Sequence, residues 1–227
     1  VPVENVNNLP VEIKKILPEK INKNGTIVSW KNLDFTKWKT AEGLFNNVEN
    51  EIGRMYRYFI NDGSVKIKFK YFKKNGGNFT LIEEQIVRPN DPLYLMENST
   101  CPKPWDKKAG FAAAETDKVS VNIKGKKRDI LLKFGIAKEE FRGLEEAGGG
   151  KPHGKHALKN NGVSFIRSGR ELELNRSWNN PSDSRWRWVN AEIHFDGDED
   201  MDNFLKVPTN KQGADNLYYR DIKKLCE

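Results

Sequence analysis

Apolar residues recur at helical spacing in one segment of the N-terminal third of the chain. The segment follows Thr40, a residue type favoured at helix N-caps, and the spacing covers about five turns. Asn61-Asp62-Gly63 closes it with turn-forming residues. The pattern therefore predicts an amphipathic helix. Its apolar positions are Leu44, Phe45, Val48, Ile52, Met55 and Phe59.

Alternating patterns elsewhere indicate strands. Apolar residues and lysines alternate strictly over 64–71, which predicts a strand with one buried and one solvated face. Asn75-Gly76-Gly77-Asn78 predicts a hairpin turn into a strand over 79–87. Further strands are predicted at 26–30, 119–123, 129–136, 163–166 and 185–195, helical segments at 138–147 and 217–225, and irregular chain at 88–106 and 148–162. Strands outnumber helices without regular alternation, so we expect an α+β sandwich of mixed sheet and helices.

Composition narrows the class of protein. The 227 residues carry 12 Phe, 6 Trp and 6 Tyr, enough aromatic side chains for a packed core. The formal charge of +7 is spread along the chain, so it permits a polyanionic partner without requiring one. Cys101 and Cys226 have no zinc-type spacing and fit a reducing, cytoplasmic compartment. No run of apolar residues is long enough to cross a membrane.

A lysine near the C-terminus is the first candidate for function. Lys211 follows Pro208-Thr209-Asn210 and has no carboxylate within three residues on either side. A cation with no local acid, on a short turn before Gly213, suits an anion that comes from elsewhere. We expect that anion to be a nucleotide phosphate held by another part of the protein.

The segment Gly148–His156 nearly matches a phosphate-binding P-loop. Gly149, Gly154 and Lys155 fit the spacing, but His156 stands where a Ser or Thr hydroxyl would hold Mg²⁺. A mobile basic loop beside a phosphate or another subunit, and a surface loop without a role, are the two alternatives.

Two other segments have a chemical and a structural interpretation. Asp196–Asp202 is acidic, but it lacks the Gly and Glu of a calcium loop, which favours a turn whose Asp caps a short helix near Asn203. His153 and His156 would need unidentified partners to bind a metal. No metal site is therefore predicted.

Arginines next to aromatic or turn residues form the last candidates. Trp178, Trp186 and Trp188 interleave with arginines, which suits either base stacking or packing on a core strand. Arg167 and Arg170 flank Gly169 in a strand–turn–strand, where they either pair with surface acids or bridge to an adjoining domain.

Three segments taken in order resemble the second domain of GHKL ATPases, the relatives of gyrase B, MutL, the ninety-kilodalton heat-shock chaperone and microrchidia. They are Gly25–Asp34, Gly162–Leu172 and Thr209–Gln212, and the resemblance covers roughly residues 20–215. It is nearest to bacterial heat-shock-chaperone-like ATP-binding proteins. The last two segments are the specific ones, and the first is only suggestive.

The resemblance implies a transducer domain with a fold like domain two of ribosomal protein S-five. It implies that Lys211 contacts the γ-phosphate of ATP, with Asn210 and Gln212 setting its loop. Arg167 and Arg170 stay candidates from their position beside Gly169, as a bridge to an adjoining domain or to a loop that senses nucleotide. ATP and Mg²⁺ would then be bound by the complete protein and neither by this fragment. The family's ATP pocket also uses a DxGxG turn and a Gly-rich lid; no DxGxG exists in this sequence, and its only Gly-rich loop comes late in the chain.

The expected organisation follows from this resemblance. Residues 1–24 would be a connecting arm from a missing N-terminal ATPase domain of the same polypeptide, and residues 25–227 would be the transducer domain. Hydrolysis would require that missing domain. A homodimer and a nucleic acid are further partners left open, and no membrane partner is expected. The rival hypothesis is a nucleic-acid-binding module that uses lysines 66–70 and the Gly148–Lys155 loop.

Overall fold

The computed structural model describes part of the chain in two compact units, and each unit is taken by itself. The first unit comprises residues 1–46 with 68–86, and the second comprises 47–67 with 87–227. The described residues are 11–16, 26–29, 37–143, 148–177 and 183–214. The division into an arm at 1–24 and a domain at 25–227 stays a prediction.

The first unit contains a two-stranded ribbon. Strands β1 (Lys68–Asn75) and β2 (Asn78–Ile86) pair antiparallel, and the turn between them is Gly76-Gly77. Both glycines have positive φ, 53° and 88°, which suits a two-residue hairpin turn and confirms the predicted one. Helix α1 (Val11–Ile16) lies in this unit too.

Two strand predictions for this region are wrong. β1 begins at Lys68 rather than at residue 64, and its side chains are exposed or half-buried on both faces. The alternation of apolar residues and lysines therefore reflects a ribbon without a buried face. Residues 26–29 lie in neither a helix nor a strand, and Gly25 and Trp30 fall outside the described residues.

The predicted amphipathic helix is present as two helices. Helix α2 (Ala41–Met55) is capped by Thr40, whose Oγ1 accepts a hydrogen bond from the Gly43 N–H at 3.1 Å. Helix α3 (Arg57–Asn61) follows after Tyr56, whose φ of −112° and ψ of 16° interrupt the helix. Asp62 and Gly63 then end it as predicted.

The second unit is built on a six-stranded mixed sheet. Its strands are β3 (Phe111–Ala113), β4 (Asp117–Ile123), β5 (Lys126–Ala137), β6 (Val163–Arg167), β7 (Arg170–Asn175) and β8 (Val189–Phe195). The order is β3-β5-β8-β6-β7, and β4 pairs with the same strand β5 as β3 does. Only the β6–β8 pair is parallel among these. Mixed sheet plus helices makes the fold α+β.

Two apolar clusters hold this unit together. One is formed by side chains of the sheet and of the C-terminal helix α6 (Glu199–Phe204), including Ile130, Phe165, Ile193 and Met201. The other centres on Phe141, which is fully buried in helix α4 (Glu139–Arg142). The rings of Tyr94, Trp105, Phe111 and Trp188 contact Phe141.

The glycine-rich segment is not a loop. Helix α5 spans Pro152–Lys159, and Pro152 stands at its first turn, where its missing N–H is not needed. Gly154 is buried against the preceding glycines, since a Cβ there would come within 2.2 Å of the Gly148 carbonyl oxygen. Both the P-loop and the mobile basic loop are therefore wrong.

The last strand is shorter than predicted. Residues 184–188 form a 3₁₀ turn, and β8 begins only at Val189. The hairpin of β4 and β5 and the strands β6 and β7 agree with the prediction. The helical segment 138–147 is described only to Gly143 within this range, as α4, and 217–225 lies outside the described residues.

Candidate functional site

Helix α6 places one carboxylate at the end of the sheet. Asp198 caps the helix, because its Oδ1 accepts a hydrogen bond from the Met201 N–H at 2.9 Å. This confirms the interpretation of the acidic segment as a capping turn. Asp202, one turn further, is 7% exposed and lies inside the unit rather than in solvent.

Two cations converge on Asp202. Arg167, the last residue of β6, donates from Nε to Oδ1 at 2.7 Å and from Nη2 to Oδ2 at 3.0 Å. The Lys211 ammonium lies 2.5 Å from Oδ2. Burial alone would raise the pKa of the Asp202 carboxyl, but hydrogen bonds from Arg167 and Lys211 outweigh it and lower that pKa. We call Arg167, Asp202 and Lys211 the Asp202 cluster.

A tight turn carries Lys211. Its N–H donates to the Pro208 carbonyl at 2.8 Å, and its φ of 54° lies in the left-handed region, which is uncommon for a residue with a side chain. The Asn210 Oδ1 accepts from the Gln212 N–H at 3.1 Å. Asn210 and Gln212 thus lie on either side of Lys211 and bond to each other rather than to the Asp202 cluster.

The expectation that Lys211 has no internal acid is wrong. Asp202 lies nine residues upstream of Lys211, further away than the three residues on either side that contain no carboxylate. The turn after α6 brings the two side chains together. The Lys211 side chain is nevertheless 33% exposed, while that of Asp202 is 10% exposed. An incoming anion can therefore reach Lys211 from outside.

Arg170 does not join the Asp202 cluster. Its Nη2 lies 3.6 Å from the Met55 sulfur, and its guanidinium lies over the Tyr56 ring at 5.8 Å. Its Nε is buried without a hydrogen-bond partner among the described residues. Of the two arginines that flank Gly169, only Arg167 meets Lys211.

A buried ion network that no sequence pattern predicted surrounds Arg57. This side chain is fully buried at the start of α3. Its Nη1 lies 2.6 Å from Glu171 Oε2, and its Nη2 lies 2.5 Å from Glu192 Oε1. Arg54 Nε binds the other Glu171 oxygen at 2.6 Å. A glutamate between Ala191 and Ile193 in an apolar strand was the available signal, since such a position is rarely charged without a partner.

Tyr58 and His194 complete the network on the far side of Glu192. Glu192 Oε2 accepts a hydrogen bond from the Tyr58 hydroxyl and lies 2.7 Å from His194 Nε2. Burial would raise the pKa of Glu192, but the Arg57 guanidinium and the neighbouring hydrogen bonds lower it to about 2. Burial and the Glu192 charge raise the pKa of Tyr58, so its hydroxyl remains a donor.

This network predicts a defined loss of stability in acid. Because the folded-state pKa of Glu192 is lowered from 4.5 to about 2, its contribution is present above pH 4.5 and disappears as the pH falls towards 2. The loss should be on the order of 3 kcal/mol. Urea unfolding of the wild type and of Glu192→Gln between pH 6 and pH 2.5 measures it. A variant with the same pH dependence as the wild type would contradict the assignment.

The histidines of α5 have structural partners. His153 Nε2 bonds the Phe141 carbonyl oxygen at 2.9 Å. Burial, with smaller contributions from Lys159 and Arg88, lowers the pKa of His156 to about 4, so this ring is neutral at physiological pH. Among the described residues no group of three or more His, Cys, Asp or Glu side chains could hold a metal ion.

Part of the Trp/Arg segment packs against the protein, through Trp188 and Arg187, whereas Trp186 is exposed. Trp186 and Trp188 lie on the 3₁₀ turn rather than on a core strand, which corrects the prediction. The Trp188 ring meets Phe141 edge-on at 6.1 Å, and Arg187 Nη1 donates to the Gly149 carbonyl at 2.9 Å. Trp178 lies outside the described residues.

One acid pairs with two lysines of β1. Glu84 lies 2.7 Å from the Lys68 ammonium and 3.0 Å from that of Lys70. These hydrogen bonds lower the pKa of Glu84 to about 2. Two of the lysines on which the nucleic-acid hypothesis relies are therefore paired.

Over the part of the chain that the structure covers, every helix is too short or too polar to span a lipid bilayer. Comparison of the chain with protein-family models, curated proteins and solved structures found no match.

Proposed function

We propose that this chain is the transducer domain of a GHKL-type ATPase and that Lys211 is its contact to the γ-phosphate of ATP. The convergence of Arg167 and Lys211 on Asp202 carries the proposal. These two cations come from the two segments, Gly162–Leu172 and Thr209–Gln212, on which the resemblance is most specific. Segments about forty residues apart thus contribute to a single charged cluster, as a shared role would require.

The charges of the Asp202 cluster suit a phosphate. Two cations face one carboxylate, so the cluster carries an excess of one positive charge. A lysine ammonium is a compact point charge on a flexible stem, able to follow a phosphate. A terminal phosphate carries more negative charge than a carboxylate and would compete with Asp202 for Lys211.

Arg167 explains how Lys211 could leave without destabilising the cluster. Asp202 would keep its two hydrogen bonds from Arg167, so the carboxylate would remain paired after Lys211 turned away. In this proposal Asp202 is the resting counter-ion of Lys211. The positive φ of Lys211 fits a residue held ready at a functional turn.

Within this chain, the residues proposed to contact ATP are limited to the cations of the Asp202 cluster. Arg167 and Lys211 are suited to hold phosphate oxygens, whereas the residues that would hold the rest of ATP and Mg²⁺ belong, in the family that the chain resembles, to the nucleotide-binding domain. Bound there, ATP supplies the phosphoryl group that is cleaved. This chain would supply positioning and charge neutralisation. The proposal also includes an S-five-like topology, a cytoplasmic location and closure into a homodimer.

Chemical labelling tests whether Lys211 reaches nucleotide. In the polypeptide that includes the ATPase domain, a non-hydrolysable ATP analogue should lower acylation of the Lys211 amine by about 5-fold or more relative to ADP, because the phosphate would bind and screen it. Peptide mass spectrometry measures the modification at each lysine.

Lys206 is the matched control for this labelling. It lies in the same segment, is exposed and also has positive φ, 50°. Its acylation should be the same with both nucleotides. Equal labelling of Lys211 with the ATP analogue and with ADP would contradict the proposal.

A further inference from the structure

A polar groove in the second unit lies between the faces of two helices. Helix α2 contributes residues at helical spacing, from Asn47 to Arg54, and helix α5 contributes Lys155, His156 and Lys159. The groove encloses about 480 Å³, within the range of small-molecule sites. Its remaining lining residues are Asn50, Glu51, Pro102, Pro152, Asn160 and Arg176.

The charge in this groove is positive and uncompensated. Among the described residues that line it, Glu51 is the only acid, and it lies 2.8 Å from Arg54, which in turn binds Glu171. The side chains of Lys155 and Lys159 have neither an ion pair nor a hydrogen bond to any of the described residues. Arg176 donates from Nη2 to the Lys159 carbonyl and, within the same described part, meets no acid. Three cations therefore face the groove without counter-ions.

The base of the groove is rigid and neutral. Asn160 is 3% exposed and exchanges two hydrogen bonds with Asn90, at 2.5 Å and 3.2 Å, while its Nδ2 also donates to the Tyr94 hydroxyl at 3.3 Å. The Tyr94 O–H is then directed to His156 Nδ1 at 2.8 Å. This leaves the proton of the neutral His156 ring on Nε2, 3.4 Å from the Thr100 hydroxyl. Such a network holds Lys155 and Lys159 on a fixed helix.

We infer that this groove binds a phosphate-bearing small molecule of mononucleotide size. The ammonium groups of Lys155 and Lys159 and the guanidinium of Arg176 would bind the phosphate oxygens, since hydrogen bonds between such ions are the strongest available. The volume leaves room for an organic group beside the phosphates.

This groove is separate from the Asp202 cluster. Lys159 and Asn160 precede β6, whereas Arg167 ends it. Five residues of strand, at ~3.3 Å each, place the two sites roughly 16 Å apart. The inference therefore does not depend on the role proposed for Lys211.

Calorimetric titration of the 227-residue chain at low salt tests the inference. Tripolyphosphate and ATP should both bind at this groove, against the expectation from the resemblance that the fragment alone binds no ATP, and adenosine, which has no phosphate, should not. The double variant Lys155→Gln/Lys159→Gln should bind tripolyphosphate about 10-fold more weakly or worse, because two charged hydrogen-bond donors are lost. Unchanged circular dichroism would show that the variant is folded.

Lys126→Gln/Lys127→Gln is the matched control. It removes the same charge from two exposed lysines at the start of β5, away from the groove, and should bind as the wild type does. Equal weakening in both double variants would mean general charge attraction and would overturn the site. So would no binding of tripolyphosphate at millimolar concentration. Binding of a twelve-nucleotide single-stranded DNA without binding of tripolyphosphate or ATP would overturn it in favour of a nucleic-acid surface.

Discussion

Replacing Arg57 by Met should lower the free energy of unfolding by about 3–5 kcal/mol, the largest stability effect that we expect from one polar substitution. The variant removes the only cation in contact with Glu192 Oε1 among the described residues and one of the two that bind Glu171. Met has a similar length and no charge, so the loss reports the unpaired carboxylates rather than a cavity. Urea unfolding followed by circular dichroism measures it.

Burial sets the size of this effect. The side chains of Arg57, Glu192 and Glu171 are 0%, 0% and 3% exposed, so water cannot replace the missing guanidinium. The three surrounding carboxylates, with Asp91 at 3.9 Å, outweigh the cost of burial and raise the pKa of Arg57. Glu192 therefore depends on the permanent positive charge of Arg57, and removal of that charge should be far more harmful than removal of an exposed arginine.

Arg185→Met is the control for this experiment. Arg185 makes several close contacts with Asp183, but its side chain is 89% exposed, so solvent screens the pair. The unfolding midpoint of Arg185→Met should match that of the wild type. Equal midpoints for Arg57→Met and Arg185→Met would show that the buried network contributes nothing to stability.

Local patterns in the sequence were sufficient to predict much of the fold. The spacing from Leu44 to Phe59 and the Thr40 cap predicted α2 and α3, because helix periodicity and capping are short-range properties. Gly76-Gly77 and Gly125 located the hairpin turns, since each has the positive φ that glycine accepts readily. The strand predictions failed at 26–29 and at 64–67, where β-type residues are present but the structure assigns no strand within its described residues.

The sequence pattern did not predict helix α5, because its glycine-rich composition favoured a loop although a proline marks a possible helix start. Glycines at 148–150 and at 154 favoured a loop, although Pro152 stands where helices often begin. The close packing of Gly154 against Gly148 requires glycine at this helical position, and such a contact cannot be predicted from a local sequence pattern. The groove on this helix was hidden for the same reason.

The contacts between charged side chains could be identified only from the tertiary structure. Arg57 and Glu192 are 135 residues apart, and Asp202 lies outside the neighbourhood in which Lys211 looked unpaired. Sequence patterns chose Arg167, Arg170 and Lys211 as candidates, but only the fold separates Arg170 from the other two.

The second large expected effect concerns turnover. In the polypeptide with its ATPase domain, Lys211→Ala should lower ATP hydrolysis by about 10²-fold, the usual loss when one preorganised charge donor is removed. The fold should tolerate the change, because Lys211 is one-third exposed and Asp202 keeps Arg167 as its partner. Alanine adds no backbone strain relative to lysine at this positive φ.

Steady-state ATP hydrolysis by the wild type, Lys211→Ala and Lys206→Ala is the most direct measurement of this role. Both substitutions remove a lysine at positive φ from the same segment, and Lys211 is the one whose ammonium lies against Asp202 and would contact the phosphate. The account predicts a large loss for Lys211→Ala and wild-type turnover for Lys206→Ala. Wild-type turnover by a folded Lys211→Ala protein would contradict it.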